Sequence, residues 1–280
     1  MNGTSELGLS IASCYNFAHS NYKRRREKQV GRVAYQNSDS HVCAEIPSPG
    51  PNKHTQKRSA MKKPFVQIAL DYPSVEEALT VAEVGVAAGV DILEAGTPLI
   101  VAEGIRAIGE LARAFPDMPV LADYKTMDSG FKNVQLTKAQ GGHYMTVCAN
   151  APDETVQSAI REGKTSGIQV VVDTIGVPQQ AERAKTCADW GVDWIYLHYG
   201  ADQRRSDNTR DTVMWLPEVL QAVNIPVGVA TFDIEDAVRA AELGADLVAI
   251  GHPLIGVDDD SRRRLAEYVQ AVKEAYRPRN

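Results

Sequence analysis

The sequence predicts a (β/α)8 barrel of the TIM type, and three observations carry that expectation. From Pro64 onward, short apolar runs alternate with amphipathic stretches eight times. Strands that alternate regularly with helices imply parallel βα units, and eight of them in roughly 220 residues match the compact end of this fold. A doubly wound open sheet, the competing architecture, ordinarily carries a glycine-rich loop after its first strand, and Leu70-Asp71-Tyr72-Pro73 is no such loop.

The strands are expected, in order, over Phe65 to Leu70, Val90 to Leu93, Val120 to Ala122, Tyr144 to Val147, Gln169 to Val172, Trp194 to Leu197, Val227 to Ala230 and Leu247 to Ile250. Between them, apolar residues recur at three- and four-residue spacing, as in Val75, Ala78, Leu79, Ala82 and in Leu216, Val219, Leu220, Val223. That spacing puts one apolar stripe on a helix. Gly89-Val90-Asp91, Gly191-Val192-Asp193 and Gly244-Ala245-Asp246 punctuate the entries to the second, sixth and eighth strands.

Residues 1–60 read differently. They lack either periodicity and carry Lys23-Arg24-Arg25-Arg26 and Pro47-Ser48-Pro49-Gly50-Pro51, so they are expected to be a disordered or non-native N-terminal extension. Met61 is a candidate natural start, with the catalytic barrel over residues 61–280. Residues 1–60 hold nine Lys/Arg and four Asp/Glu, so the net −6 of the chain divides into +5 there and −11 beyond. An acidic barrel argues against a general nucleic-acid surface, and the basic run reads as a solvated tail in preference to a nucleic-acid patch. No apolar run is long enough for a signal sequence or a membrane span. Cys14, Cys43, Cys148 and Cys187 show no C-x-x-C spacing, which suits reduced thiols in a cytoplasmic protein.

The functional signal lies at the carboxyl ends of the strands, where barrel active sites sit. Asp71 follows the first strand, Glu94 the second, Asp123 and Lys125 the third, Asp173 the fifth and His198 the sixth. The third carries Asp123-Tyr124-Lys125-Thr126-Met127-Asp128. A side-chain period of two would point Asp123 and Lys125 to one side. Carboxylates there can hold a divalent metal, and the lysine can neutralise charge or move a proton. The bland alternatives are an ion-pair cluster at a strand–helix junction, a buried structural His198, and turn-bonding roles for Asp173 and Thr97. His143, Trp190 and Trp194 are expected to be structural.

Taken together, Ala69-Leu70-Asp71, Glu94-Ala95-Gly96-Thr97-Pro98-Leu99-Ile100, Ala122-Asp123-Tyr124-Lys125-Thr126-Met127-Asp128, Val172-Asp173-Thr174-Ile175-Gly176-Val177 and His198-Tyr199-Gly200-Ala201-Asp202 resemble the orotidine 5′-monophosphate decarboxylase suprafamily. Within it the chain is most similar to the 3-hexulose-6-phosphate synthase group. The resemblance implies a carbon–carbon lyase, a Mg²⁺-dependent aldolase that condenses formaldehyde with D-ribulose 5-phosphate through an enediolate. It implies Glu94 and Asp123 as ligands of Mg²⁺, with Mn²⁺ as an alternative ion, Lys125 as a fixed cation, His198 as the base and Asp71 as a partner of substrate hydroxyls. It also implies a homodimer in which Asp128 reaches the neighbouring subunit's site. Thr97, Asp173, Thr231, Gly251 and His252 are the expected substrate-binding residues.

Two alternatives stay open: decarboxylation of 3-keto-L-gulonate 6-phosphate or a related keto-sugar acid, and a non-catalytic sugar-phosphate-binding barrel. The decarboxylase group typically has arginine three residues after the histidine, where this chain has Ala201. The phosphate loops depart from the resemblance: Thr231-Phe232 stands in place of a Gly-Gly pair, and Gly251-His252-Pro253 follows the eighth strand. Thr231 and His252 are expected to replace the lost donors, and Arg204 and Arg205 are further candidates for an anionic tail.

Overall fold

The computed structural model of the chain describes residues 64–251 and 255–279. The expectations for residues 1–60, and for His252, Cys14 and Cys43, therefore lie outside the described residues. Eight parallel strands close into a barrel in sequence order, the first pairing with the last. They are β1 (Phe65–Leu70), β2 (Ile92–Ala95), β3 (Val120–Thr126), β4 (Tyr144–Cys148), β5 (Gln169–Asp173), β6 (Trp194–Leu197), β7 (Val227–Thr231) and β8 (Leu247–Ile250). The helices are α1 (Val75–Ala88), α2 (Thr97–Glu103), α3 (Arg106–Ala114), α4 (Gly130–Ala139), α5 (Asp153–Ser166), α6 (Gln180–Asp189), α7 (Ala201–Ser206), α8 (Leu216–Ala222), α9 (Ile234–Glu242) and α10 (Asp259–Ala275), with a 3₁₀ turn at Thr212–Trp215. The fold is the (β/α)8 barrel the sequence predicts. Among the described residues no helix is long and apolar enough to cross a membrane.

The strand alternation sorts side chains into two cores. Val66, Ile68 and Leu70 of β1 join the outer core under the helices, while Ile92, Leu121, Tyr144, Val171, Trp194, Tyr196 and Leu247 fill the barrel itself. A period of two then places Glu94, Asp123, Thr146, Asp173 and His198 two residues further up their strands, still facing inward. The interior thus passes from apolar to polar as the strands rise, which is why the site is written at the strand ends.

The glycine punctuation has a structural cause. Asp91, just before β2, accepts the Val66 N–H at the start of β1 at 2.8 Å. Asp193, before β6, accepts Val170 N–H of β5 at 2.8 Å, and Asp246, before β8, accepts Val227 N–H of β7 at 2.9 Å. His143, before β4, does the same through Nδ1 for Val120 N–H of β3 at 3.2 Å. Each even strand therefore begins with a side chain that satisfies the otherwise unpaired amide of the odd strand before it. The glycines before them, Gly89, Gly141, Gly191 and Gly244, have φ between 79 and 94°, the left-handed turn that ends a helix. His143 is structural, as expected. β2 begins two residues later than its apolar run because Asp91 is engaged as this cap.

Trp194 packs inside the barrel against Phe65 and donates to Gln169, and Trp190 lies under the Arg183 guanidinium. Both are packing residues. Cys148 and Cys187 are buried free thiols, which burial pushes up to about 12 and about 11.

Candidate active site

A cleft of about 400 Å³ opens at the carboxyl ends of the strands, and Asp71, Glu94, Thr97, Asp123, Lys125, Tyr196, His198, Ala201, Thr231 and Gly251 are among its lining residues. Its size is that of a small-molecule site. Asp123 and Lys125 do share a side, and the ammonium Nζ pairs directly with Asp123 Oδ2. They do not get there by regular strand geometry. β3 slips register between Ala122 and Thr126, and Lys125 sits in the left-handed region at φ 47°, which a non-glycine residue adopts only under constraint.

The charges are unequally matched. Burial pushes Asp123 upward, but the Lys125 charge and hydrogen bonds from Lys125, Thr146 and Thr97 outweigh it and hold the carboxyl low. Burial and then the charges of Asp123 and Asp71 push Glu94 well above the carboxylate range, against weaker help from Lys125 and a hydrogen bond from Gln67 Nε2. For Lys125, burial acts downward and is overcome by Asp123, Asp173 and Glu94, so the ammonium is held charged. One cation thus serves several carboxylates. Among the described residues no three His, Cys, Asp or Glu side chains form a metal cage. Glu94 and Asp123, buried oxygen donors that share one ammonium with Asp173, fit a hard divalent cation that completes its shell with water or substrate oxygen, as Mg²⁺ does.

His198 lines the cleft, and its Nδ1 lies 2.9 Å from Asp173 Oδ2. Asp173 is fully buried, and its Oδ1 accepts Ile175 N–H at 2.8 Å. Lys125 Nζ stands 4.0 Å from Oδ2. Asp173, expected at the substrate, has no face on the cleft and meets the imidazole through Nδ1. Asp71 sits exposed at the rim, close against Gly96, where a Cβ would collide with its carboxylate.

The remaining expectations divide. Thr97 Oγ1 lies 2.8 Å from both Asp123 O and Asp123 Oδ2 and accepts from Lys125 Nζ at 3.2 Å, so its proton is spent on Asp123. Thr231 donates to Ala249 O at 2.9 Å and meets Tyr268 OH at 2.9 Å. Thr231 lines the cleft, with its hydroxyl engaged by these two partners. Gly251 does border the cleft. Arg205 pairs with Asp202 on the surface, 79% exposed. Arg204 lies 5.2 Å from the Phe232 ring and pairs with Asp233 at 3.2 Å and Asp236 at 3.5 Å. Asp128 is exposed, accepts Ser129 N–H at 2.7 Å, and does not line this chain's cleft.

Sequence reasoning passed over Gln67, Thr146 and Tyr196. Each occupies an inward-facing strand position. Gln67, amid Phe65-Val66-Gln67-Ile68-Ala69-Leu70, is a signal the apolar-run reading absorbed. Tyr196, edge-on to His198 with centroids 5.7 Å apart, is held as the neutral phenol by burial and by the charges of Glu94, Asp173, Asp123 and Asp71.

A carboxylate–lysine–histidine cluster at the mouth of a (β/α)8 barrel stands where enzymes of this fold carry their active sites. The comparisons narrow it. Residues 64–268 match the Orotidine 5′-phosphate decarboxylase / HUMPS family, and the chain belongs to that family. A 3-hexulose-6-phosphate synthase of Bacillus subtilis is 36% identical over 137 residues, which cover 49% of this chain and 65% of that protein. One from Staphylococcus epidermidis is 32% identical over 197 residues, 69% of this chain and 92% of that protein. The crystal structure of the Salmonella typhimurium 3-hexulose-6-phosphate synthase has a TM-score of 0.68 at 31% identity, covering 74% of this chain and 99% of that one. These relatives support a lyase-type enzyme of that family.

Proposed function

We propose that the protein is a Mg²⁺-dependent aldolase that adds D-ribulose 5-phosphate to formaldehyde, giving 3-hexulose 6-phosphate. The observation that carries the reading is the grouping of Glu94, Asp123, Lys125 and the Asp173–His198 pair around one cleft. Ala201 supports addition over decarboxylation, because the cleft wall there offers no guanidinium to deliver a proton. Glu94 and Asp123 would hold the ion, with Mn²⁺ as a substitute, and a divalent cation there supplies positive charge to a vicinal pair of oxygens.

The chain's own residues supply the rest. His198 Nε2, with Nδ1 held by Asp173, takes the proton from C1 of the ketose. Lys125, kept charged, stands beside the oxygens on which negative charge develops. Asp71 orients substrate hydroxyls. The electron pair left at C1 forms the bond to the formaldehyde carbon, and the formaldehyde oxygen takes up a proton, with His198 as its source. Asp128, exposed and flanked by exposed Met127 and Phe131, suits a role in the neighbouring site of a homodimer. A cytoplasmic location is part of the same proposal.

Proton abstraction can be observed alone. With ribulose 5-phosphate in D₂O and no formaldehyde, one C1 hydrogen should exchange in the NMR spectrum, and His198→Asn should stop it. Tight sugar-phosphate binding without exchange would return the chain to the non-catalytic alternative. Turnover confined to 3-keto-L-gulonate 6-phosphate would favour the decarboxylase.

A further inference from the structure

Between the rungs Ala122–Met145 and Thr126–Val147, β3 spends three residues, Asp123, Tyr124 and Lys125, against the single Thr146 of β4. A bulge of that size interrupts the backbone ladder and leaves amides to be satisfied otherwise. The Thr146 hydroxyl does so: Oγ1 accepts the Lys125 N–H at 2.9 Å and donates to Asp123 Oδ1 at 2.8 Å. Its one proton fixes the carboxylate, and one lone pair fixes the strained backbone at φ 47°. Thr146 is buried and faces the barrel interior below the cleft, around a small cavity it shares with Gln67, Glu94 and Tyr196. It does not line the cleft and has no contact to offer a substrate.

We infer that Thr146 is a positioning residue of this site, its hydroxyl standing in for the missing ladder rung and aiming Asp123 and Lys125 at one point of the cleft. The inference rests on the proposal that these two residues form the reacting centre. A partner of this kind, one step behind a metal ligand or a catalytic cation, typically matters by 10–100-fold in affinity or rate.

Two substitutions separate hydroxyl from shape. Thr146→Val keeps the shape and loses the hydroxyl; Thr146→Ser keeps the hydroxyl and loses a methyl. The valine variant should weaken Mg²⁺ binding in calorimetry, without substrate, by about 10–100-fold and lower kcat by a similar factor. The serine variant should recover most of both. Valine equal to the wild type, or serine as impaired as valine, overturns the inference. If the valine variant does not fold, Thr146→Cys takes its place with the same two readings. A wild type with no turnover strikes the proposed function instead. The inference is then decided by an unfolding double-mutant cycle between Thr146→Val and Asp123→Ala, which removes the accepting oxygen and needs neither metal nor substrate. A clear coupling supports it, and a coupling of zero overturns it.

Discussion

Glu94 and Asp123 stand on neighbouring strands of one cleft, yet their environments push them in opposite directions. Asp123 has the ammonium and the hydroxyls; Glu94 has burial and two like charges. Because the proton on Glu94 is bound more tightly in the folded state, its own contribution to stability is full below the ordinary carboxylate range. It declines as pH rises through the raised folded value. Glu94→Gln removes that slope while its carbonyl can still accept from Gln67. The thermal midpoint of metal-free Glu94→Gln should therefore exceed the wild type increasingly from pH 4.5 to pH 8, and added Mg²⁺ should narrow the gap by stabilising only the wild type. A gap that is constant across that range contradicts this description of the site. Asp123 behaves with the opposite sign, since its depressed pKa contributes stability above the unfolded value that is lost as pH falls through the folded one.

At the scale of elements, the barrel is built from strand pairs tied at their amino ends by Asp91, His143, Asp193 and Asp246. Asp193→Ala leaves the Val170 amide buried and unpaired, which should cost about 1–3 kcal/mol in denaturant unfolding. No loss of stability would show that water takes over the bond. The same elements explain what the sequence revealed. Eight apolar runs, and polar residues two positions beyond interior side chains on β2, β3, β5 and β6, are patterns of period two, so the fold and the placing of Glu94, Asp123 and His198 at the strand ends were legible. The β3 bulge was not, because it depends on Thr146 of another strand. Nor was the fate of the Thr231 and Thr97 protons, which is decided by Ala249 and Asp123 across the sheet. Asp173 was legible as a strand-end acid, but its burial beneath His198 required the closed barrel.

For the whole molecule, Asp128 outside its own chain's cleft leads to a definite expectation about assembly. If each site borrows Asp128 from its neighbour, Lys125→Ala and Asp128→Asn are inactive alone. An exchanged equal mixture then holds hybrid dimers with one intact site, and about a quarter of wild-type activity should return. No recovery from demonstrably mixed dimers would confine each site to one chain. The central claim is tested most directly by formaldehyde consumption with ribulose 5-phosphate, comparing the wild type with and without EDTA and with folded Asp123→Asn. The account predicts turnover in the wild type that EDTA abolishes, Mg²⁺ restores and Asp123→Asn lacks; turnover indifferent to EDTA and to that substitution, or none from folded, Mg²⁺-loaded protein, would contradict it.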